Sequence, residues 1–143
     1  KESDDSAFWN VAKQFEIPQK LRNAVFLPNI AIQGEFISPS IQKNYEKVNK
    51  SEFHVFSVFD IDKQEYLKPN DALYVCKIAN IKHVPIIFEG KLSDFAKSVD
   101  ELLLKAEGPG MNPGVSREGI VIKALDGSFS FKAISNAYLC KEK

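Results

Sequence analysis

Charged side chains interrupt segments that otherwise consist mainly of Ile, Val, Phe and other apolar residues. Glu35 lies in QGEF, Asp60 in FDI, Glu118 and Lys123 in REGIVIK, and Lys132 in FSFKAIS. An unpaired charge within a buried strand is prohibitively costly, so each group must be paired, bound to a ligand or placed at a cleft. Carboxylates bind Mg²⁺, lysines bind phosphate oxygens and aromatic faces stack on bases, so the set suits a metal-bound nucleoside phosphate. Salt bridges between neighbouring strands are the alternative interpretation.

Other residues with chemical potential indicate structural roles. The segment GPGMNPGVS over Gly108–Ser116 lacks the GK[ST] of a phosphate-binding loop and is predicted to be a plain loop. His54 and His83 stand alone in the sequence, without an HExxH or similar spacing, and are expected to be structural. Cys76 and Cys140 are far apart and form no CxxC, which argues against a zinc site or a disulfide and favours a reduced, intracellular setting.

The composition is that of one globular domain. The chain has 143 residues, of which 44% are hydrophobic, and can bury a core without a disulfide or a metal. Nineteen basic and nineteen acidic residues give a net charge of zero, so no basic field covers the whole domain. No apolar run approaches the roughly 20 residues of a membrane span, and no membrane partner is expected. The first residue is Lys1 rather than Met, which suggests a piece of a longer protein.

Apolar periodicity predicts the elements that must position these residues. Apolar residues recurring every three or four positions indicate helices, and alternating β-branched and aromatic residues indicate strands. Ser93 or Asp94 is the expected N-cap of the longest helix, and Asp126-Gly127 is the expected two-residue turn of the last hairpin. The predicted helices are Asp4–Glu16, Pro18–Val25, Pro69–Asn80 and Leu92–Ala106, and the predicted strands are Asn29–Ile37, Phe53–Ile61, Val84–Phe88, Glu118–Leu125 and Ser128–Ile134.

The order of the elements and the strand alternation set the expected geometry. Interspersed strands and helices that end in an antiparallel hairpin favour an α+β fold over a doubly wound parallel sheet. Strict alternation places Phe59 and Phe56 on opposite faces of their strand, while Glu35 lies on an upstream strand. Alternation from Glu118 places Lys123 on the opposite face, so both serve one site only if the strand bends or Glu118 lies at its entrance.

Residues 33 to 139 contain four motifs in a characteristic order: QGEF, FHVFSVFDI, REGIVIK and SFKAISNAYL. Together they resemble motifs III, IIIa, IV and V of the covalent nucleotidyltransferases, the superfamily of ATP-dependent ligases and mRNA capping enzymes. The segment IQKN after the first motif and the form FKAISN of the last are similar to the Deinococcus and Naegleria type branch of ATP-dependent RNA ligases. The resemblance implies a partial nucleotidyltransferase fold, mainly an antiparallel sheet with flanking helices.

The resemblance also implies which residues bind the nucleotide. Glu35 would correspond to the carboxylate that contacts the ribose of bound ATP. Phe59 would be the aromatic residue that stacks on the adenine, with Phe56 as the alternative if the register of the strand differs. The implied cofactors are ATP and a divalent metal, Mg²⁺ or Mn²⁺.

The remaining implied roles concern the metal and the phosphates. Glu118 would be the motif IV acid that engages the divalent metal. Lys123 and Lys132 would be the catalytic lysines that face the phosphates. Many relatives carry Lys-x-Lys in the last motif, whereas Ala133 and Ile134 follow Lys132 here, so Lys123 or Lys141 would supply the second charge.

The chain also departs from the family pattern, because it contains no KxDG tetrapeptide for the nucleophilic lysine. By resemblance, residues 1–143 are therefore the C-terminal part of an adenylyltransferase domain that lacks the nucleophile segment and is inactive alone. The implied function is binding of ATP and metal while an RNA 5′-phosphate is joined to a 3′-hydroxyl. The implied partners are RNA ends and the missing N-terminal part of the domain, in the cytoplasm or, in a eukaryote, the nucleus.

Two alternatives stay open. A DNA ligase or a capping guanylyltransferase shares the same motif order. A noncatalytic nucleotide-binding or interaction module would have kept the fold and lost the nucleophile, and the neutral net charge favours it over an independent RNA binder.

Overall fold

The computed structural model describes residues 6–24, 29–41, 44–112 and 114–141. Its named strands pair antiparallel and are interspersed with helices, which confirms the predicted α+β class. None of the helices in these ranges is long and apolar enough to cross a membrane. The helices are α1 Ala7–Gln14, α2 Ile17–Asn23, α3 Pro69–Ala79, α4 Leu92–Phe95, α5 Val99–Ala106 and α6 Asn136–Lys141, and the strands are β1 Ile30–Ile37, β2 Glu52–Asp60, β3 Glu65–Tyr66, β4 Gly119–Lys123 and β5 Ser130–Ile134.

The chain divides into two compact units, each with its own core. The first comprises Lys1–Ile37, Ser51–Val84 and Leu125–Gly127, and the second comprises Ser38–Lys50, Pro85–Ala124 and Ser128–Lys143. In the first unit, β1, β2 and β3 form a sheet in that order, with the sheet's core face packed on α3. The buried residues of that core are Val55, Val58, Ala72, Val75 and Cys76.

A β-bulge changes the alternation along β2. Gln33 of β1 pairs with Ser57, but the next residue, Gly34, pairs with Val55, so Phe56 is an extra residue between them. Because the bulge shifts the side-chain alternation by one residue, Val55 and Val58 both enter the core although they are three positions apart. The strict alternation predicted over Phe53–Ile61 is therefore wrong beyond this point.

The second unit is built on the hairpin of β4 and β5. Its core consists of Ile120, Ala133 and the C-terminal residue of α5, Ala106. The predicted hairpin is confirmed, but the expected two-residue turn at Asp126-Gly127 is wrong, since the backbone of Ala124 pairs with Phe129 and leaves residues 125–128 in the loop. The strands are correspondingly shorter than predicted.

The helix predicted over Leu92–Ala106 is two helices, α4 and α5. Ala96 has an extended backbone, and the side chain of Ser98 accepts a hydrogen bond from the Glu101 N–H at 3.2 Å. The Glu101 carboxylate accepts one in return from the Lys97 N–H at 2.7 Å. This capping arrangement starts a new helix at Val99, so the predicted caps Ser93 and Asp94 were wrong for α5, and Lys91 is the N-cap of α4.

The strand predicted over Val84–Phe88 does not form. Val84 donates a backbone hydrogen bond to Val55 at 2.9 Å, and His83 makes an isolated bridge to the same residue, but no strand continues beyond them. Pro85 has no N–H to extend a ladder, which accounts for the break, and Ile86 and Phe88 are exposed.

In the N-terminal region α1 is shorter than the predicted Asp4–Glu16, and residues 1–5 and Val25 lie outside the described residues.

Candidate functional site

Glu35 lies on the face of the first sheet that points away from α3. Along β1, Ala31, Gln33 and Glu35 are exposed, whereas Ile30 and Ile32 pack against the core. This alternation follows from the two-residue period of a strand. The carboxylate that the sequence singled out is thus available to a ligand rather than paired within the core.

Phe59 shares this face with Glu35. It is the cross-strand partner of Ala31, and directly opposed residues of an antiparallel pair project to the same side of a sheet. On the other side it meets Tyr66 edge to face, with ring centroids 5.1 Å apart, and the Tyr66 hydroxyl donates a hydrogen bond to Gln33 at 3.2 Å. Tyr66 therefore fixes one edge of the Phe59 ring.

Phe56 is the extra residue of the bulge and is 39% exposed. Because the register between β1 and β2 skips Phe56, the strict alternation that placed it on the face opposite Phe59 does not apply to it. A bulge redirects side chains in this way at the edges of binding sites. Asp60, the last residue of β2, has a structural contact instead, since its carboxylate accepts hydrogen bonds from the backbone N–H groups of Asp62 and Lys63 in the following turn, both at 3.0 Å.

His54, which the sequence indicated to be structural, lies opposite Glu35 and has a partner, Glu52, that the sequence analysis did not anticipate. His54, the cross-strand partner of Glu35, is buried and donates a hydrogen bond from Nε2 to the Glu52 carboxylate at 2.7 Å. Lys82 donates to the same carboxylate oxygen at 3.3 Å. The hydrogen bond from His54 is the largest influence and, with that from Lys82, lowers the pKa of Glu52 despite burial. In the sequence, Glu52 and His54 are two residues apart, which places both side chains on one face of a strand and could have indicated that they pair.

Glu118 and Lys132 come together in the second unit. Glu118 immediately precedes β4, and its carboxylate forms an ion pair with Lys132 of β5. Both side chains are 44% exposed, so the pair faces solvent rather than the core. Glu118 thus lies at the entrance of the strand, which is one of the two arrangements that the sequence allowed.

Lys123 lies on the same face of the hairpin as Lys132. Lys132 is opposite Val121 and Lys123 is opposite Ser130, and residues 121 and 123 share one side of β4. The other side carries Ile120, which is buried in the core. Partial burial lowers the pKa of Lys123.

The residues before Glu118 are held by contacts that sequence reasoning did not anticipate. Tyr45 donates a hydrogen bond to the Ser116 carbonyl at 2.7 Å, and its ring meets Tyr138 edge to face at 5.5 Å. Burial, followed by the nearby carboxylates of Glu46 and Glu118, raises the pKa of Tyr45. In the sequence, the position of Tyr45 directly after the IQKN segment was the one feature that could have drawn attention to it.

Arg117 is tied to the end of α5. Its guanidinium donates to the carbonyl oxygens of Ala106 at 3.0 Å and Glu107 at 3.1 Å, and also to that of Lys105. The last carbonyls of a helix have no partner within it, so Arg117 satisfies groups that would otherwise be unpaired. The Gly-rich loop is closed beside it by backbone hydrogen bonds, including one of 3.0 Å from Arg117 to Gly108.

The chemistry of Glu118 fits a hard divalent cation. Within residues 6–24, 29–41, 44–112 and 114–141, no group of three or more His, Cys, Asp or Glu side chains could hold a metal ion. Mg²⁺ and similar ions retain several waters and often bind through one or two carboxylates together with phosphate oxygens. One exposed carboxylate beside lysines therefore suits a metal delivered with a nucleoside phosphate, whereas a closed all-protein metal cage would not fit.

The chain belongs to the RNA ligase family, whose family model matches residues 1–134. The helices and antiparallel strands adopt the RNA ligase nucleotidyltransferase fold over part of the length of the solved relatives. The sequence-based resemblance is confirmed in both respects.

Solved structures of the RNA ligase from Naegleria gruberi match 99% of this chain with a TM-score of 0.88. They include variants with ATP and Mn and with AMP and Mn, both 40% identical to this chain, and a structure with PPi that is 41% identical. The chain covers 42% of the length of those proteins. The comparison with curated proteins gave no significant match.

Proposed function

We propose that this chain is the C-terminal part of the adenylyltransferase domain of an ATP-dependent RNA ligase. The observation that carries the proposal is the match along 99% of the chain, at 40% identity or slightly more, to N. gruberi RNA ligase structures with ATP, AMP and PPi. These three ligands are the substrate and the two parts into which adenylyl transfer divides ATP. The substrates are ATP and RNA ends bearing a 5′-phosphate and a 3′-hydroxyl, within an intracellular compartment.

The nucleotide's sugar and base are assigned to the first sheet. Glu35 accepts hydrogen bonds from ribose hydroxyls, because its exposed carboxylate is an acceptor without hydrogen atoms of its own. Phe59 stacks on the adenine through the face of its ring, with Tyr66 supporting its edge. Phe56, exposed at the bulge, is the alternative stacking residue.

The phosphates and the metal are assigned to the hairpin. Lys132 and Lys123 neutralise charge on the α-phosphate and on the leaving pyrophosphate, a contribution that is strongest for charge that develops in the transition state. Glu118 would hold the divalent metal through its carboxylate, and the bound metal would supply further neutralisation of the phosphate oxygens. When the nucleotide arrives, Lys132 exchanges part of its contact with Glu118 for phosphate oxygens.

The covalent step needs a lysine that this chain does not provide in a KxDG motif. In the full-length protein, a lysine outside the chain attacks the α-phosphate of ATP, forms a P–N bond and releases pyrophosphate. AMP then passes to the RNA 5′-phosphate, and the 3′-hydroxyl displaces it as the new phosphodiester bond forms. The residues of this chain position the reactants and neutralise charge in these steps.

The proposal is tested by incubating the full-length protein with radiolabelled ATP and Mn²⁺. We expect covalent labelling of the protein, transfer of the label to a 5′-phosphorylated RNA and sealing of a nicked RNA. Labelling with GTP instead would identify a capping guanylyltransferase, and a preference for nicked DNA would identify a DNA ligase. No labelling with either nucleotide would overturn the proposal in favour of a noncatalytic nucleotide-binding module.

The assignment of the adenine position is tested by the pair Phe59→Ala and Phe56→Ala in the full-length protein. Loss of a base–aromatic stack costs about 1–3 kcal/mol, so the KM for ATP should rise about 10-fold in the variant that loses the stacking ring. A rise only in Phe56→Ala would move the adenine to the bulge. Tyr74→Phe, which alters an exposed ring on α3, serves as the control.

A further inference from the structure

We propose that Tyr45 and Arg117 are positioning residues that fix Glu118 for metal binding. This inference rests on the proposed function, in which Glu118 engages the divalent metal. It extends that function by two residues that would touch neither the metal nor the nucleotide. Their role is read from the contacts that surround the short segment leading into β4.

The segment from Ser116 to Glu118 is fixed at each of its three residues. The Ser116 carbonyl accepts from the Tyr45 hydroxyl at 2.7 Å. The Arg117 side chain binds the C-terminal carbonyls of α5. The Glu118 carbonyl accepts from the Ser135 N–H at 2.8 Å. The first two contacts use side chains and the third uses backbone, so only the first two can be altered selectively by substitution.

Tyr45 is itself held in place before it meets Ser116. The Asn44 side chain bonds to the backbone of Val48 in both directions, accepting from its N–H at 2.9 Å and donating to its carbonyl at 3.0 Å. This closes a tight turn that carries Tyr45, and the Tyr138 ring packs against the Tyr45 ring. The hydroxyl therefore reaches Ser116 from a rigid support.

Arg117 connects the segment to α5 through a planar fork. Its Nε and one terminal nitrogen reach consecutive carbonyls at the helix end, a geometry that Lys cannot reproduce with a single ammonium group. The guanidinium also explains why residue 108 is a glycine, because a Cβ at that position would lie 2.9 Å from a terminal nitrogen of Arg117. The end of α5, the Gly-rich loop and the residue before Glu118 are thereby joined in one arrangement.

A single carboxylate ligand depends strongly on such support. No group of three or more Asp, Glu, His or Cys side chains among the described residues could hold a metal ion by itself, so the direction of the Glu118 side chain strongly affects how well it meets the cation. Groups that orient a metal ligand typically affect metal affinity or activity by about 10–100-fold when removed. Tyr45 and Arg117 hold the two residues before Glu118 and thereby fix the backbone from which its side chain projects.

The test uses Tyr45→Phe and Arg117→Lys in the full-length protein. Tyr45→Phe removes one hydrogen bond and keeps the ring against Tyr138, and Arg117→Lys keeps the charge and loses the fork. We expect the Mn²⁺ concentration for half-maximal adenylylation to rise about 10-fold in each, with a largely restored rate at saturating Mn²⁺. Direct Mn²⁺ titration, followed by the electron paramagnetic resonance signal of the free ion, should show the same weakening.

A purely structural role would lower the melting temperature without changing the Mn²⁺ requirement of the folded protein. Unchanged Mn²⁺ binding in both variants, with an active wild type, would overturn this inference and leave the proposed function intact. A wild type that neither binds Mn²⁺ nor becomes labelled would overturn the proposed function and the inference with it. Tyr74→Phe, far from the segment in sequence and exposed on α3, is the matched control for Tyr45→Phe.

Discussion

The Glu118 carboxylate forms an ion pair with the Lys132 ammonium, which joins the residue before β4 to the middle of β5. Both side chains of the pair are partly exposed to solvent, so the two groups lie close together and a ligand can still reach them. An exposed ion pair of this kind contributes only about 0–1 kcal/mol to stability. The pair itself is the salt bridge between neighbouring strands that the sequence allowed as the alternative, and its small contribution to stability leaves both groups able to exchange partners when a ligand binds.

Lys132→Met should separate these two roles. Removing one group that stabilises transition-state charge typically costs about 10²–10³-fold in rate, so we expect such a loss in adenylylation by the full-length protein. The urea midpoint should change little, because the lost ion pair is exposed. Lys91→Met, at an exposed position before α4, is the control for loss of a lysine. A large drop in stability together with unaltered chemistry would contradict the assignment.

Gly119→Ala should weaken the hairpin. A Cβ at Gly119 would collide with the Ala133 carbonyl oxygen and lie 2.9 Å from the Ile134 Cα, and neither backbone group can move without disrupting the strand pair. Overpacking of this kind typically costs about 1–3 kcal/mol, measured as a lower free energy of unfolding in urea. Val121→Ala, an exposed position on the same strand, should have a small effect. Equal effects of the two substitutions would argue against a steric requirement for glycine.

Glu52 should make stability depend on acid pH. Its pKa in the folded protein is lowered from the ordinary value of 4.5, chiefly by the hydrogen bond from His54. Its contribution is therefore fully present above pH 4.5 and is lost as the pH falls through the lowered value. Urea midpoints measured from pH 7 down to pH 3 should fall less steeply in Glu52→Gln than in the wild type. Glu89→Gln controls for the removal of a carboxylate, and identical curves for Glu52→Gln and the wild type would refute the prediction.

The two cysteines should differ sharply in reactivity. Cys76 is 3% exposed, and burial raises the pKa of its thiol to about 11, whereas Cys140 is exposed. Because the thiolate is the reactive form, brief alkylation at pH 8 should label the peptide containing Cys140 and spare the one containing Cys76. Mass spectrometry of the digested protein measures both, and unfolding in urea before alkylation should label them equally. Equal labelling of the folded protein would show that the α3 core is open.

Local sequence signals predicted the strands and helices wherever one signal dominated. The segments over β1, β2 and α3 were predicted to within a residue at each end, because β-branched alternation and helical periodicity are strong there. The error over Leu92–Ala106 arose because apolar periodicity runs through the break between α4 and α5. The residues Ser98 and Glu101 contained the missing information: the Ser98 hydroxyl accepts from the Glu101 N–H, the Glu101 carboxylate accepts from the Lys97 N–H, and these two hydrogen bonds begin α5.

Strand faces were less predictable than strands. The sequence of β2 gives no sign that Phe56 will be an extra residue, because a bulge arises from how β2 pairs with β1. The close approach of Gly34 to its partner strand is part of that pairing, since a Cβ there would lie 2.6 Å from the His54 carbonyl oxygen. Pairing brings together residues that are distant in the chain, so the alternation rule fails where the register shifts.

The sequence by itself determined the family of this protein, its α+β class and the residue types available for nucleotide chemistry, because four ordered motifs and local periodicity are properties of the chain alone. Only the tertiary structure decided that Glu118 lies at the strand entrance beside Lys132, with Lys123 on the same face as Lys132. It also decided that Tyr45 and Arg117 hold the segment before Glu118. The physical reason is that strand pairing and side-chain hydrogen bonds join residues far apart in sequence, and those contacts form only when the whole unit packs.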